Sequence, residues 1–370
     1  MKSVLIIAAM LLPVGCAKKP SADLPSILVP APELAANTSV SKDAKARFAI
    51  IVSMDGLGAQ QLRPLIEAGR MPNFVRLRQE SSWTFDARTD VTDTRTMANH
   101  TCMLTGLPSD RPTPDGRTLY HGYHYNGDPP PDVTLHRAGN PDLRYVPSVF
   151  DVAHDAGLKT CLFSGKEKFR LFSVSWGPQA GAPDRIGTDN GRDKLDVGIV
   201  GSDTDALADR FLEEMRSKAP CNLTLFHVAD LDEAGHAHGW ESEAWKGAAE
   251  RADRVLGKIL DAVQSSAPFK GHTALIVTAD HGGVGNKHGN TADNRIFTIP
   301  FYVAAPGITG NTDLYTKIRN ARTKPSATEN PSYAAPQQPV RNGDAGNLAL
   351  SLLGLPPVPG SLMYGLEIQP

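Results

Sequence analysis

An apolar run of strand character, Ala274 to Ala279, stops abruptly at Asp280-His281 and turns on Gly282-Gly283. A buried strand that ends this way delivers two metal-ligand side chains at its carboxyl end. In open α/β sheets, ligands gather beyond the carboxyl ends of the strands. The pattern occurs twice more. Phe48 to Met54 is apolar and ends in Asp55-Gly56, and Leu223 to Val228 is followed by Asp232 and His236. Three strand ends that carry carboxylates and imidazoles toward one rim predict a metal centre there.

The rest of the chain fits such a sheet. Leu57 to Glu80 reads as helix interrupted near Met71-Pro72, and Pro147 to Ala156 as a short helix before the strand Thr160 to Ser164. Ser202 to Ser217 opens on an N-cap residue and places Leu207, Phe211, Leu212 and Met215 on one side. Ala252, Val255, Leu256, Ile259 and Val263 give the helix before the Asp-His strand a buried face. Ile299 to Ala304 adds a strand. Helices alternating with apolar strands predict an α/β fold, a mostly parallel central sheet with helices on both faces, in one domain over 47–370. Gly106 to Arg144 breaks the alternation as a long loop, of the kind that is usually functional or mobile. Thr312 to Asn342 is polar and Pro-rich and reads as a surface excursion. The last segment, Gly343 to Pro370, predicts a helix near Gly346 to Leu353 and then chain that finishes the sheet edge.

A formal net charge of −2 over 370 residues argues against a nucleic-acid-binding domain. A hydrophobic content of 41% is ample for a packed core. The amino terminus reads as an export leader: Lys2, an apolar Val4 to Leu12, then small residues at Gly15, Cys16 and Ala17. Cleavage before Cys16 would leave a cysteine for lipid attachment, as in bacterial lipoproteins, although Pro13 stands where Leu is usual. Cleavage after Ala17 is the alternative. Residues 17–46 are rich in Pro, Ala and Ser and read as a tether. The expected location is the periplasm or cell envelope, with membrane contact only through a lipid on Cys16. Of the 4 cysteines, Cys102, Cys161 and Cys221 lie beyond the leader. Cys161 and Cys221 fall in or beside strands and could meet; buried free thiols are the equal alternative.

Asp232 and His236 are spaced i,i+4, so on a helix they share one face and can share a metal. Asp280 and His281 are adjacent and must diverge unless the strand end twists. His288 follows a glycine-rich turn that can fold it back over the site. Imidazole with carboxylate suits zinc, or manganese with more oxygen ligation. His136, His154, His227 and His272 lack such company and read as structural.

Taken in order, Asp55-Gly56, Thr96-Met97-Ala98-Asn99-His100 leading to Leu104-Thr105-Gly106, His121-Gly122 followed by Asn126, Asp232 to His236, and Asp280-His281-Gly282-Gly283 with His288 make a specific set. It resembles the alkaline phosphatase superfamily, in its type I phosphodiesterase/nucleotide pyrophosphatase branch, over about Phe48 to Gly307. The resemblance implies two divalent metals, zinc by expectation. Asp55, Thr96, Asp280 and His281 would bind one, and Asp232, His236 and His288 the other. It also implies Thr96 as nucleophile at a helix start, with Asn126 donating to a non-bridging oxygen of a small phosphodiester or nucleotide pyrophosphate. His100 would pack behind the nucleophile, and His121 and His238 would be neighbouring or loop residues. The branch usually has Pro where Ala98 stands, and Thr94 is a competing hydroxyl. Some monoesterases of the superfamily carry Lys-x-Arg where Lys166-Glu167-Lys168 stands, so Lys166 and Lys168 are candidates for contacting a doubly charged phosphoryl group. A solvated loop is the plain alternative. A sulfatase would need Cys or Ser at the nucleophile position. A non-catalytic surface lipoprotein would be expected to have lost ligands.

Overall fold

The computed structural model describes residues 44–112, 119–184, 191–319 and 322–369. The leader, Cys16 and nearly all of the tether lie outside them. Among the described residues, no helix is long and apolar enough to cross a membrane.

Eight strands form one sheet: β1 (Phe48–Met54), β2 (Ser82–Arg88), β3 (Thr160–Ser164), β4 (Val197–Val200), β5 (Leu223–Val228), β6 (Thr273–Thr278), β7 (Thr298–Ala304) and β8 (Thr312–Asp313). Their order is β4-β3-β5-β1-β6-β7-β2-β8. The block from β4 to β6 is parallel, and β7 runs against both of its neighbours. Every residue of β1, β5 and β6 is buried. Successive strand side chains point to opposite faces, so helices must cover both. The helices Thr96–Thr105, Val149–Asp155 and Asp344–Leu352 pack together as one group. Pro72–Glu80, Thr204–Met215 and Asp230–His238 pack around the long helix Glu243–Ser265 as another.

Local chemistry sets these helices. Ser242 caps the long helix by accepting from Trp245 N–H, and Ala252, Val255, Leu256 and Ile259 form its fully buried stripe. Asp253 on the same helix takes the N–H groups of Asn73 and Phe74. It thereby caps a second helix whose own N-cap, Met71, offers no side-chain oxygen. Asp203, not Ser202, caps Thr204–Met215.

Register then places the site. Met54 is level with Val228, Ser53 with Thr278, and Ser164 with His227. Four parallel strands therefore end together, and Asp55, Lys166, Asp232 and Asp280 all follow within a few residues.

Several sequence expectations need correction. β2 and β4 were not anticipated. β4 is exposed enough to lack a continuous apolar signal, and β2 carries Asp86 and Arg88 in an edge-side position. Thr312 to Asn342 is no mere excursion: it supplies β8, buries Leu314, and returns with Val340, Arg341 and Asn342 fully buried. The tail after Leu352 does not finish the sheet; its one bridge joins Ile368 to Ile318. The tether's last residues are tied down, because Lys45 and Ala46 donate to the Leu352 carbonyl. Cys161 and Cys221 form a disulfide rather than two free thiols, and Cys102 is a buried free thiol.

His136 is a structural histidine with a pH consequence. Its Nε2–H donates to Ser175 O at 2.7 Å, and Nδ1 accepts from Val146 N–H at 3.1 Å. Burial pushes its pKa down to about 4. Above pH ~6.5 neither the folded nor the unfolded chain protonates it; below that, only the unfolded chain takes the proton. Folded stability is thus lost as pH falls from ~6.5 toward ~4, by up to about 3 kcal/mol. His136→Gln removes this titration. Thermal unfolding at pH 7 and pH 4.5 should show the gap between wild type and variant narrowing at the lower pH.

Candidate active site

Each carboxylate at the rim has one oxygen tied to the protein and one left bare. Asp55 Oδ2 receives Lys166 Nζ at 2.5 Å and lies 3.0 Å from His227 Nε2. Asp232 Oδ2 receives the same ammonium at 2.6 Å. Asp280 Oδ1 accepts the Gly56 and His281 N–H groups at 3.0 and 2.9 Å. The opposite oxygens, Asp55 Oδ1, Asp232 Oδ1 and Asp280 Oδ2, are buried without a partner, as are His281 Nε2 and Thr96 Oγ1. Buried polar atoms are nearly always satisfied, so the four orphans on Asp55, Asp232, Asp280 and His281, which lie together, point to a ligand of the site.

The imidazoles present the same face. Nδ1 of His281, His288 and His236 lies 2.9, 2.9 and 3.0 Å from the carbonyls of Gly282, Thr94 and Asn286. A carbonyl only accepts, so Nδ1 carries the hydrogen and Nε2 presents a lone pair. This is the arrangement of a metal-ligating histidine, whose other ring N–H is anchored. His288 Nε2 and His236 Nε2 face each other at 3.1 Å. Two lone pairs repel there unless a cation lies between them. Burial, and then the neighbouring His288, pushes His281 down to about 3. Burial lowers His288 as well, so both rings stay neutral donors.

Two groups result. Asp55, Asp280 and His281 bring ligand atoms within 4.8 Å of one another, and so do Asp232, His236 and His288. They share a wall: the His281 and His288 rings stack at 3.7 Å, and Lys166 bridges Asp55 to Asp232. Two other clusters are already satisfied, since Cys161 and Cys221 are bonded and the Lys194 ammonium pairs with Asp155 and Asp184. Charge supports the same reading. Burial raises the Asp55 carboxyl, but Lys166 and His227 outweigh it and hold it well below the usual range. Burial, and next the charge of Asp55, pushes Asp280 well above it. One ammonium leaves the charge of three buried carboxylates unbalanced, and the bare oxygens and Nε2 atoms beside it are donors suited to a cation.

Thr96 starts the helix Thr96–Thr105. Arg95 provides no side-chain cap, and Asn126 Oδ1 takes the Met97 N–H from outside at 3.0 Å. With Oδ1 committed, the Asn126 amide nitrogen is the donor left at this helix start. Thr94, the competing hydroxyl, donates to the His288 carbonyl, whereas Thr96 Oγ1 has no partner. The helix is held without the usual proline. His100 Nδ1–H donates to Thr96 O, Ser53 donates to His100 Nε2, and Asn99 ties Asp90 N–H to Asp93 O. Asn342 reaches Asn99 and the Asp280 carbonyl from the far end of the chain.

The Asp and His candidates come together in two groups, and Lys166 takes an unexpected place, spent on two carboxylates. Lys168 is half-buried, with burial and then Lys166 lowering its pKa. His227, set aside as structural, touches Asp55. A signal for it existed: it is the penultimate residue of an apolar strand that ends at the rim. His121 and His154 make their contacts elsewhere, with Tyr123 N–H and Asp184, and His238 is exposed.

The family model for type I phosphodiesterase / nucleotide pyrophosphatase matches residues 49–111 and 151–338, more than half of the chain. No match arises among curated proteins. Among solved structures, murine ectonucleotide pyrophosphatase/phosphodiesterase 5, an inactive form in complex with AMP, aligns over 87% of this chain and 97% of its own at 14% identity and TM-score 0.56. The lipoteichoic acid synthase LtaP from Listeria monocytogenes aligns over 88% and 78% at 14% identity and TM-score 0.54. The C-terminal periplasmic domain of EptC from Escherichia coli, in complex with zinc, aligns over 86% and 85% at 13% identity and TM-score 0.50. Identities this low speak for the fold.

Chelator treatment followed by zinc titration checks the geometry independently of turnover. Two zinc ions per chain are expected, and free zinc at ~100 times Kd should add about 2.7 kcal/mol of stability per site. His288→Ala should remove one of the two ions.

Proposed function

Because the chain belongs to the type I phosphodiesterase/nucleotide pyrophosphatase family and is thus a hydrolase of phosphoester bonds, we propose that it cleaves phosphodiesters or nucleotide pyrophosphates at a two-metal centre, through a phosphothreonine on Thr96, outside the cytoplasm. The observation that carries this reading is the set of orphaned oxygens and Nε2 lone pairs on the rim residues, together with a buried Thr96 hydroxyl that also lacks a partner.

Asp55, Thr96, Asp280 and His281 would hold one divalent ion, and Asp232, His236 and His288 the other. Bound ions, zinc by donor chemistry with manganese the oxygen-richer alternative, would lower the hydroxyl pKa and stabilise the attacking and leaving oxygens. Thr96 Oγ1 gives up its proton and attacks phosphorus in line, forming the Thr96 O–P bond as the leaving alkoxide departs. The Asn126 amide donates to a non-bridging oxygen, and the helix start adds positive potential for the phosphoryl group. Water then cleaves the Thr96 phosphoester, releasing phosphate monoester and restoring the hydroxyl.

Export is supported by the leader-like Lys2 to Ala17 segment and by the Cys161–Cys221 disulfide, since cytosolic thiols stay reduced. Lipid attachment at Cys16 remains part of this proposal. Phosphate monoester hydrolysis is the second reading, and Lys168 is the observation that favours it. Its half-buried ammonium lies in the field of Asp55, Asp232 and Asp280, whereas Lys166 is already paired.

Thr96→Ala should lower kcat by about 10³-fold or more while zinc content stays near that of wild type. Full activity in this variant would refute the nucleophile, and a wild type inactive on every ester would favour a non-catalytic binding lipoprotein. Rates on p-nitrophenyl phosphate, its bis ester and the p-nitrophenyl ester of thymidine monophosphate separate the two readings. The diester and nucleotide esters should lead. Lys168→Ala should lower kcat/KM on the monoester several-fold more than on the bis ester.

A further inference from the structure

The ring of His227 is fixed in tautomer and in place. Gly165 N–H donates to its Nδ1 at 3.3 Å, and the Ser164 hydroxyl lies 3.0 Å from the same nitrogen. Nδ1 is thus an acceptor, and the ring hydrogen sits on Nε2. That hydrogen points at Asp55 Oδ2, 3.0 Å away. The Phe169 ring lies 4.3 Å from the imidazole and His100 meets it edge-on at 4.9 Å, so the fully buried ring cannot swing aside. Lys166 donates to the same Asp55 oxygen. Ser164, Gly165, Lys166 and Phe169 all belong to one stretch at the end of β3, which contributes no candidate metal ligand.

We propose that His227 is the positioning residue of the Asp55–Asp280–His281 group. Held by the β3 end, it occupies the far oxygen of Asp55 and turns Oδ1 alone toward the cation. This rests on the two-metal reading above. A carboxylate free to rotate can chelate with both oxygens, which suits larger oxygen-seeking ions such as calcium. One pinned to a single oxygen beside an imidazole suits compact zinc. The effect is centred on one group: His227 hydrogen-bonds Asp55, whereas Asp232 feels the ring only through its charge.

The test is zinc binding by chain stripped of metal, in competition with a chromophoric chelator, with calcium competition alongside. The chains are wild type, His227→Phe, which keeps a flat ring and removes the donor, and His227→Gln, which restores an N–H. The expected result is two tight sites in wild type and, in His227→Phe, one site weakened roughly 10- to 100-fold with the other unchanged. Zinc preference over calcium should fall at the weakened site. His227→Gln should recover most of the loss. Should the Phe variant fail to fold, His227→Asn, too short to reach Asp55, should show the same one-site loss. Two unchanged sites in a folded His227→Phe would overturn the proposal alone, as would an equal loss at both sites or no rescue by Gln. Wild type that takes up no zinc would instead overturn the two-metal reading and the proposal with it.

Discussion

Three buried carboxylates at one sheet rim are the constraint the rest of the molecule answers to. Two like charges 4 Å apart repel by ~4 kcal/mol even at an effective dielectric constant near 20. Lys166 offsets part of this by pairing with Asp55 and Asp232 together. Burial works against its ammonium, yet the two carboxylates raise its pKa above the ordinary lysine value. Asp280 is left to the N–H groups of Gly56 and His281, one oxygen only. The remaining negative charge and the bare Nε2 atoms need cations. The same features that make the site costly without them make it a strong host when they are bound.

The ligand set was legible because it is written at strand ends. An apolar run that stops at Asp-His or Asp-Gly encodes both the buried strand and the side chain it delivers. Level register then brings Asp55, Asp232 and Asp280 together with no further instruction. Thr96 and Asn126 were legible only through the motif around them, since a lone threonine or asparagine carries no signal of its own. Lys166 could be seen as pointing at the rim, but its partners could not. A lysine two residues past a strand serves a phosphoryl group or a carboxylate equally well, and only distances choose.

What was not legible depends on contacts far apart in sequence. β7 runs against β6 after the connection 279–297, and apolar patterning does not encode that choice of direction. β2 mixes Trp83, Thr84, Phe85 and Ala87 with Asp86 and the fully buried Arg88, so a mostly buried strand shows no continuous apolar run. Arg341 reads as a polar loop residue, yet it is fully buried against the Thr89 carbonyl and the side chain of Asn330. Its neighbour Asn342 bonds to Asn99 across 243 residues and to Asp280 O across 62. No local window contains that information.

These distant braces explain how Ala98 can stand where a rigid proline is usual. The helix that presents Thr96 is fixed from four sides: Asn126 at its first N–H groups, Thr94 on the His288 backbone, His100 against Ser53, and Asn342 on Asn99. Each brace comes from a different part of the chain, so the position of Thr96 is set by the closed fold rather than by the local backbone. The same logic runs through β3, which holds Asp55 by way of His227 and Lys166 without lending a ligand. Where donor side chains come from separate strand ends, such outer contacts fix the orientation of each one.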